Sequence, residues 1–94
     1  MSRKVVVRKV KGGKLFRLSL ELRSGVADVR LDGDLFIHPE EKVEDVELWL
    51  CRCLSMEDEE GARSFLQSKL DEGSIQIIGA DSAELVSALW EAKS

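Results

Sequence analysis

Residues 16–23 alternate strictly between apolar and polar side chains, and this pattern constrains the fold more than any other stretch of the chain. The apolar set is Phe16, Leu18, Leu20 and Leu22, and the polar set is Arg17, Ser19, Glu21 and Arg23. A period of two places one set on a buried face and the other in water. The pattern therefore predicts an antiparallel strand with one solvated face.

Further strands are predicted on both sides of this segment. The valine-rich residues 4–10 and the alternating residues 26–31 have strand composition, and Ala27, Val29 and Leu31 are expected to face the core. Glycine turns at residues 11–13, 24–25 and 32–34 separate the strands, since glycine supplies the positive φ of tight hairpins. Residues 35–37 are interpreted either as a short third pairing segment or as a rigid lead-in to a helix.

The second half of the chain has the spacing of amphipathic helices. Pro39 suits a first helical position, and acids follow it, so a helix is predicted over 39–53. Ser55 and Asp58 resemble a capping box for a second helix that ends near Gly73. The predicted inward faces are Val43, Val46, Leu50 and Cys53 in the first helix, and Ala62, Phe65, Leu66 and Leu70 in the second.

A third helix is predicted after a short extended segment at residues 75–79. Asp81 and Glu84 form its expected cap, and its apolar face comprises Leu85, Val86, Leu89 and Trp90. Strands followed by helices predict a single α+β domain over residues 1–94. We expect a small antiparallel sheet, built from N-terminal hairpins, with about three helices packed on one face.

The net charge of −4 conceals a split along the chain. Residues 1–23 carry eight Lys or Arg and one acid, whereas residues 24–94 carry six Lys or Arg and seventeen acids. The basic N-terminal part is expected to meet either an anionic partner or the acids of its own domain. Tyrosine is absent and few aromatic residues lie among the bases, which argues against nucleic-acid binding.

Side chains that catalyse reactions or bind metals are present, but not in the arrangements that such sites need. His38 is the only histidine and no nucleophile motif accompanies it, so we predict no catalytic residue. Cys51 and Cys53 project about 200° apart on a helix, and we expect free thiols and no zinc site. The acids at 57–60 are typical of a helix start.

The remaining features suggest interaction with another molecule. Gly12, Gly13 and Lys14 lack the spacing of a phosphate loop and open a strand, but they could present Lys14 to an anionic group on a partner. Trp49 and Trp90 are interpreted as core residues or interface anchors, with Trp49 expected to be the more exposed. No segment approaches the roughly 20 apolar residues that span a bilayer, and we expect a cytoplasmic protein.

Three short motifs occur in a characteristic order: KVKGGKL at 9–15, GDLF at 33–36 and PEE at 39–41. A later IQIIG segment at 75–79 precedes the capped third helix. Together they resemble the accessory domain at the C-terminus of many lipoate–protein ligases, which in some archaea and bacteria is a separate chain. The resemblance extends from about Arg3 to Ala92, with Lys11 in place of the family's proline and Leu35 in place of its first aromatic residue.

The resemblance implies a subunit that is not catalytic alone. A separate catalytic chain activates lipoate with ATP to lipoyl-AMP and transfers the lipoyl group to a lysine of an acceptor domain. The small subunit closes over that active site and is needed for adenylation. ATP, Mg²⁺ and lipoate then belong to the complex, and no cofactor to this chain alone. The expected turn and partner-facing residues are Gly12, Gly13, Lys14, Gly33, Asp34 and Phe36.

Two alternative functions remain open at this point. Small α+β domains with the same order of elements also act as scaffolds in sulfur transfer and iron–sulfur assembly. That function requires Cys51 or Cys53 to be exposed and reactive. The other alternative is an interaction module for an unrelated enzyme.

Overall fold

The computed structural model describes residues 2–10, 12 and 14–94 and confirms the α+β architecture. Strands β1 (Ser2–Lys9), β2 (Leu15–Arg23) and β3 (Val26–Gly33) form an antiparallel sheet in the order β1–β2–β3. Strands β4 (Phe36–His38) and β5 (Gln76–Ile78) form a separate antiparallel pair. The helices are α1 (Val43–Cys53), α2 (Glu59–Glu72) and α3 (Ser82–Lys93), and a 3-10 turn (Glu40–Lys42) precedes α1.

The helices cover one face of the three-stranded sheet, as predicted. α1 packs against β3, α3 packs against β1 and β2, and α2 packs on α1 and α3. The core between these layers is continuous, and Phe16 is the largest of its fully buried side chains. The sheet's other face has no helix over it among the described residues, so one face stays open.

The period-two pattern of β2 is confirmed for the apolar side chains up to Leu20, but Ser19, expected in water, is only 8% exposed. Phe16, Leu18 and Leu20 are at most 4% exposed. The inward position expected for Leu22 is wrong, since 47% of its surface is exposed. Leu22 lies near the end of β2, where it lines an open groove with Leu54 instead of the closed core.

Two helix starts differ from the predictions, for local reasons. Pro39 adopts an extended conformation before the 3-10 turn, so α1 begins at Val43 and not at Pro39. Asp58 itself caps α2 by accepting hydrogen bonds from the amides of Glu60 and Gly61, at 3.2 and 3.1 Å. Ser55, predicted to cap that helix, instead donates to the carbonyl of Arg52.

Other local predictions are confirmed. α2 ends at Glu72, before Gly73, and Asp81 and Glu84 form a full capping box at the start of α3. Residues 36–38 pair with β5, which favours the pairing segment over the lead-in. Both tryptophans are half-buried, so Trp49 does not stand out as the exposed one.

Within the part of the chain that the structure describes, no helix has both the length and the apolar character needed to cross a membrane.

Candidate functional site

The turn after β3 is tied to the start of β2 by Asp34. Its amide donates to the carbonyl of Leu15 at 2.7 Å, and its carboxylate accepts from the Leu15 amide at 3.1 Å. Since Lys14 immediately precedes Leu15, this pair of hydrogen bonds fixes the backbone beside Lys14. The Asp34 side chain therefore has a structural role at this position.

Two glycines allow three backbone segments to meet at this end of the molecule. Gly33 has a φ of +104°, and a β-carbon there would lie 2.7 Å from the Leu15 carbonyl oxygen. Gly79 has a φ of +105°, and a β-carbon there would collide with the carbonyl oxygen of Asp34. Only glycine satisfies both the positive φ and the close approach. The end of β5 is thereby held against the turn after β3.

An exposed apolar pair lies on the β4–β5 ladder. Phe36 and Ile78 are directly opposite each other, so their side chains share one face. They are 56% and 45% exposed, while the intervening Ile37 is buried on the other face. This short ladder therefore anchors itself through Ile37 and presents Phe36 and Ile78 to solvent.

An open cleft of about 550 Å³ adjoins this pair. Its lining residues come from the β1–β2 hairpin, the end of β5 and the start of α3: Val10, Lys14, Ile78, Gly79, Ala80, Asp81 and Glu84. The carboxylates of Asp81 and Glu84 accept from each other's backbone amides, at 2.8 and 3.0 Å, and so are occupied as a helix cap. Lys14 is the one cationic side chain that lines the cleft among the described residues.

The structure brings most of the predicted partner-facing residues to this end. Lys14 lines the cleft, Gly33 and Asp34 form the adjoining turn, and Phe36 pairs with cleft-lining Ile78. Gly12 is exposed in the hairpin between Val10 and Lys14. Gly13 lies outside the described residues, as does Lys11.

Sequence reasoning missed Ile78 and Gly79 as members of this end. The extended conformation predicted for residues 75–79 is confirmed at β5, but nothing local indicates that this segment pairs with residues 36–38. The one available signal was Gly79 itself, because a glycine directly after an apolar run often marks a close backbone approach.

Several N-terminal bases pair with acids of the same domain. Arg8 donates to Glu91 of α3 at 2.8 Å, and Arg23 donates to Glu21 at 2.6 Å. In contrast, no salt bridge is found for Lys14 among the residues described. The basic N-terminal part therefore meets its own acids in places and leaves Lys14 available at the cleft.

The two thiols are free and shielded. Cys53 has no exposed surface and its thiol lies 3.7 Å from the carbonyl oxygen of Ala62. Cys51 is half-buried and lies 3.7 Å from the carbonyl oxygen of Ala27. Burial raises the pKa of both thiols, that of Cys53 to about 11. A reactive thiol needs exposure and a lowered pKa, and neither cysteine has them.

Stability is expected to fall above about pH 9 because of Cys53. Its thiol pKa rises from 9.0 to about 11 on folding, so the unfolded chain loses this proton at a lower pH. The resulting stabilisation is complete below pH 9 and is lost as the pH rises toward 11, by about 2 kcal/mol. Urea unfolding across this range should show a steeper decline for the wild type than for Cys53→Ala. Parallel curves would contradict the assignment.

The structure also shows where His38 and the acids at 57–60 lie. His38 is exposed and pairs with Gln76 across the β4–β5 ladder. The acids at 57–60 surround the Asp58 cap of α2. No group of three or more His, Cys, Asp or Glu side chains is placed to hold a metal ion within residues 2–10, 12 and 14–94.

Comparison with known proteins gave no match for this chain, either to a protein-family model, to a curated sequence or to a solved structure.

Proposed function

We propose that the chain is the accessory subunit of a two-component lipoate–protein ligase. In this proposal it acts with a separate catalytic subunit in the ATP-dependent formation of lipoyl-AMP, and hence in protein lipoylation. The observation that carries the proposal is the convergence of the resembling motifs. Lys14, Asp34 and Phe36 come from separate stretches of the chain and meet at one end, beside the cleft.

The chemistry of this end suits closure over a partner's active site. The exposed apolar pair, Phe36 and Ile78, offers contact area at an interface, where aromatic residues often dominate binding. Lys14 supplies one positive charge toward a phosphate or another anionic group. Covering a reactive acyl-adenylate excludes water, which would otherwise hydrolyse the mixed anhydride.

The nucleotide and metal are assigned to the partner's site. The cleft offers one ammonium group, Lys14, and its two carboxylates already cap α3. This donor set does not fit a complete ATP or Mg²⁺ site, which needs several phosphate and metal contacts. In the proposed complex this chain adds one charge and an apolar surface to a site that another chain holds.

The sulfur-transfer alternative has less support than the ligase proposal. It needs an exposed thiolate, whereas Cys53 is fully buried and Cys51 is half-buried, with a raised pKa at both. We therefore do not propose a thiol-based function.

Reconstitution tests the proposal directly. The chain is mixed with a candidate catalytic subunit, ATP, Mg²⁺, lipoate and an acceptor domain, and lipoylation is followed by mass spectrometry. Lipoylation is expected to depend on this chain. Equal activity with and without it would rule the proposal out for that pair of proteins.

Two variants locate the contact. Lys14→Ala is expected to slow adenylation by about tenfold, the loss typical of one charged hydrogen bond. Phe36→Ala is expected to weaken subunit association by about tenfold, as for an aromatic interface anchor. Lys69→Ala, which removes an ammonium group on α2, is the matched control and should change neither quantity. Uniform effects of all three variants would contradict a site at the cleft.

A further inference from the structure

The two edges of the three-stranded sheet differ in how their backbone groups are satisfied. On β3, the amide of Leu31 donates to the Glu47 carboxylate at 2.9 Å. The carbonyl oxygen of Ala27 lies 3.7 Å from the Cys51 thiol. Both side chains belong to α1, which packs on β3 and occupies these two hydrogen-bonding groups of its outer edge.

The register identifies which β1 groups point away from β2. Val10 donates to Lys14 across the hairpin at 2.8 Å, whereas Leu15 bonds to Asp34 on the opposite side. Antiparallel pairing alternates, so the even-numbered residues of β1 bond to β2 and the odd-numbered ones face outward. The outward set is Arg3, Val5, Val7 and Lys9.

This outer edge is open in the part of the chain that the structure describes. Outside strand pairing within the sheet, no hydrogen bond in this part of the chain uses a backbone amide or carbonyl of the outward residues. β1 is eight residues long, and long unpaired edges readily accept another strand. Val5 and Val7 are 50% and 53% exposed on the uncovered face.

The charge of β1 specifies the kind of strand that it can accept. Four of its eight residues are Arg or Lys and none is acidic. Lys4 and Arg8 project to the helical side and bond to the carbonyl of Ser94 and to Glu91. Arg3 and Lys9 lie on the uncovered face and form no salt bridge among the described residues.

We propose that the outer edge of β1 binds an extended, acidic segment of a partner protein as a fourth strand of the sheet. In antiparallel pairing, the four residues opposite the outward set would alternate along the partner. Acidic residues would face Arg3 and Lys9, and apolar residues would face Val5 and Val7. The partner sequence is thus acidic–x–apolar–x–apolar–x–acidic.

Charge argues against a second copy of this chain in the register that pairs all four outward residues. Two β1 strands paired antiparallel around Val6 place Arg3 opposite Lys9 and Val5 opposite Val7. Like charges directly opposite each other destabilise a strand pair. An acidic partner replaces both repulsions with attractions. The inference is independent of the ligase proposal, since it rests on the sheet edge and not on the cleft.

Amide hydrogen exchange measured by NMR tests this arrangement residue by residue. The probe is the capped peptide Glu-Thr-Val-Thr-Val-Thr-Glu, and the control replaces both terminal acids with lysine. At a peptide concentration about ten times the dissociation constant, exchange at Arg3, Val5, Val7 and Lys9 should slow by about tenfold. The amides of Lys4, Val6 and Arg8 already bond to β2 and should change little.

Two pairs of variants separate backbone pairing from charge. Val7→Pro removes an outward amide, which an edge strand tolerates, and should abolish binding, whereas Val7→Thr should retain it. The double variant Arg3→Glu and Lys9→Glu should bind the acidic peptide about tenfold more weakly. It should gain affinity for the lysine peptide, which shows that the variant still folds.

Each outcome decides the proposal. Slowed exchange at the odd-numbered amides, together with the charge reversal, supports it. Absence of binding, equal binding of both peptides, or protection elsewhere on the chain would overturn it. Protection of the same amides by raised protein concentration alone would identify a second copy as the occupant and would also overturn it.

Discussion

Replacing Phe16 with alanine is expected to lower the free energy of unfolding by about 4 kcal/mol. The ring has no exposed surface and is the largest fully buried side chain of the core. Its loss removes apolar burial and leaves a cavity that the sheet and α3 can only partly fill. A domain of this size is typically stable by about 5–14 kcal/mol, so the substitution would remove a large fraction of the total stability. Urea denaturation at equilibrium measures the change.

Phe36→Ala is the matched control for the same chemical change. Phe36 is 56% exposed on the β4–β5 ladder, so its truncation should cost less than about 1 kcal/mol. Phe16→Ala should therefore lower the stability of the domain, whereas Phe36→Ala should weaken association with the partner and leave stability nearly unchanged. Similar stability losses in both would contradict the assignment of Phe36 to the surface.

The second large effect is expected at Gly33. Alanine there is expected to cost about 3 kcal/mol, since the position combines a φ of +104° with a close backbone approach. Its β-carbon would lie 2.7 Å from the Leu15 carbonyl oxygen and 2.9 Å from the Phe16 α-carbon. Both atoms belong to β2, which cannot move without disturbing the core around Phe16. Thermal or urea unfolding measures the loss.

Gly25→Ala separates the cost of a positive φ from the cost of a close backbone approach. Gly25 has a φ of +81°, but nothing lies within 4 Å of a β-carbon placed there. Alanine at Gly25 should therefore cost only the backbone strain, about 1 kcal/mol. Equal losses at Gly25 and Gly33 would show that φ alone matters and that the contact with β2 is relieved without cost.

The strands and helix ends illustrate what local sequence can predict. Alternation in β2 places Phe16, Leu18 and Leu20 in the core, since the two faces of a strand differ regardless of what covers them. Alternation could not predict that Leu22 is exposed, because its burial depends on how far the helices extend over the sheet. In the same way, Asp58 and Ser55 are both good capping residues, and only the path of the loop selects Asp58.

The candidate site was also predicted in part from local sequence and decided in part by tertiary packing. The residues of the β1–β2 hairpin and the turn after β3 could be proposed from short motifs that resemble those of a known family. Their contact with Ile78 and Gly79 could not be predicted, because β4 and β5 are about forty residues apart in the chain and no local pattern shows that they pair. The accessibility of the cysteines was likewise decided by packing against Ala27 and Ala62.

The sequence by itself determined the α+β class, the sheet's buried face, the caps around Asp81 and the basic character of β1. Each of these depends on periodicity or on neighbours within a few residues. The tertiary structure alone decided that α1 covers the edge of β3 through Glu47 and leaves the edge of β1 open. It also decided that Lys14 lines a cleft beside α3. These properties depend on contacts between distant segments, which arise only when the apolar faces of helices and sheet pack together.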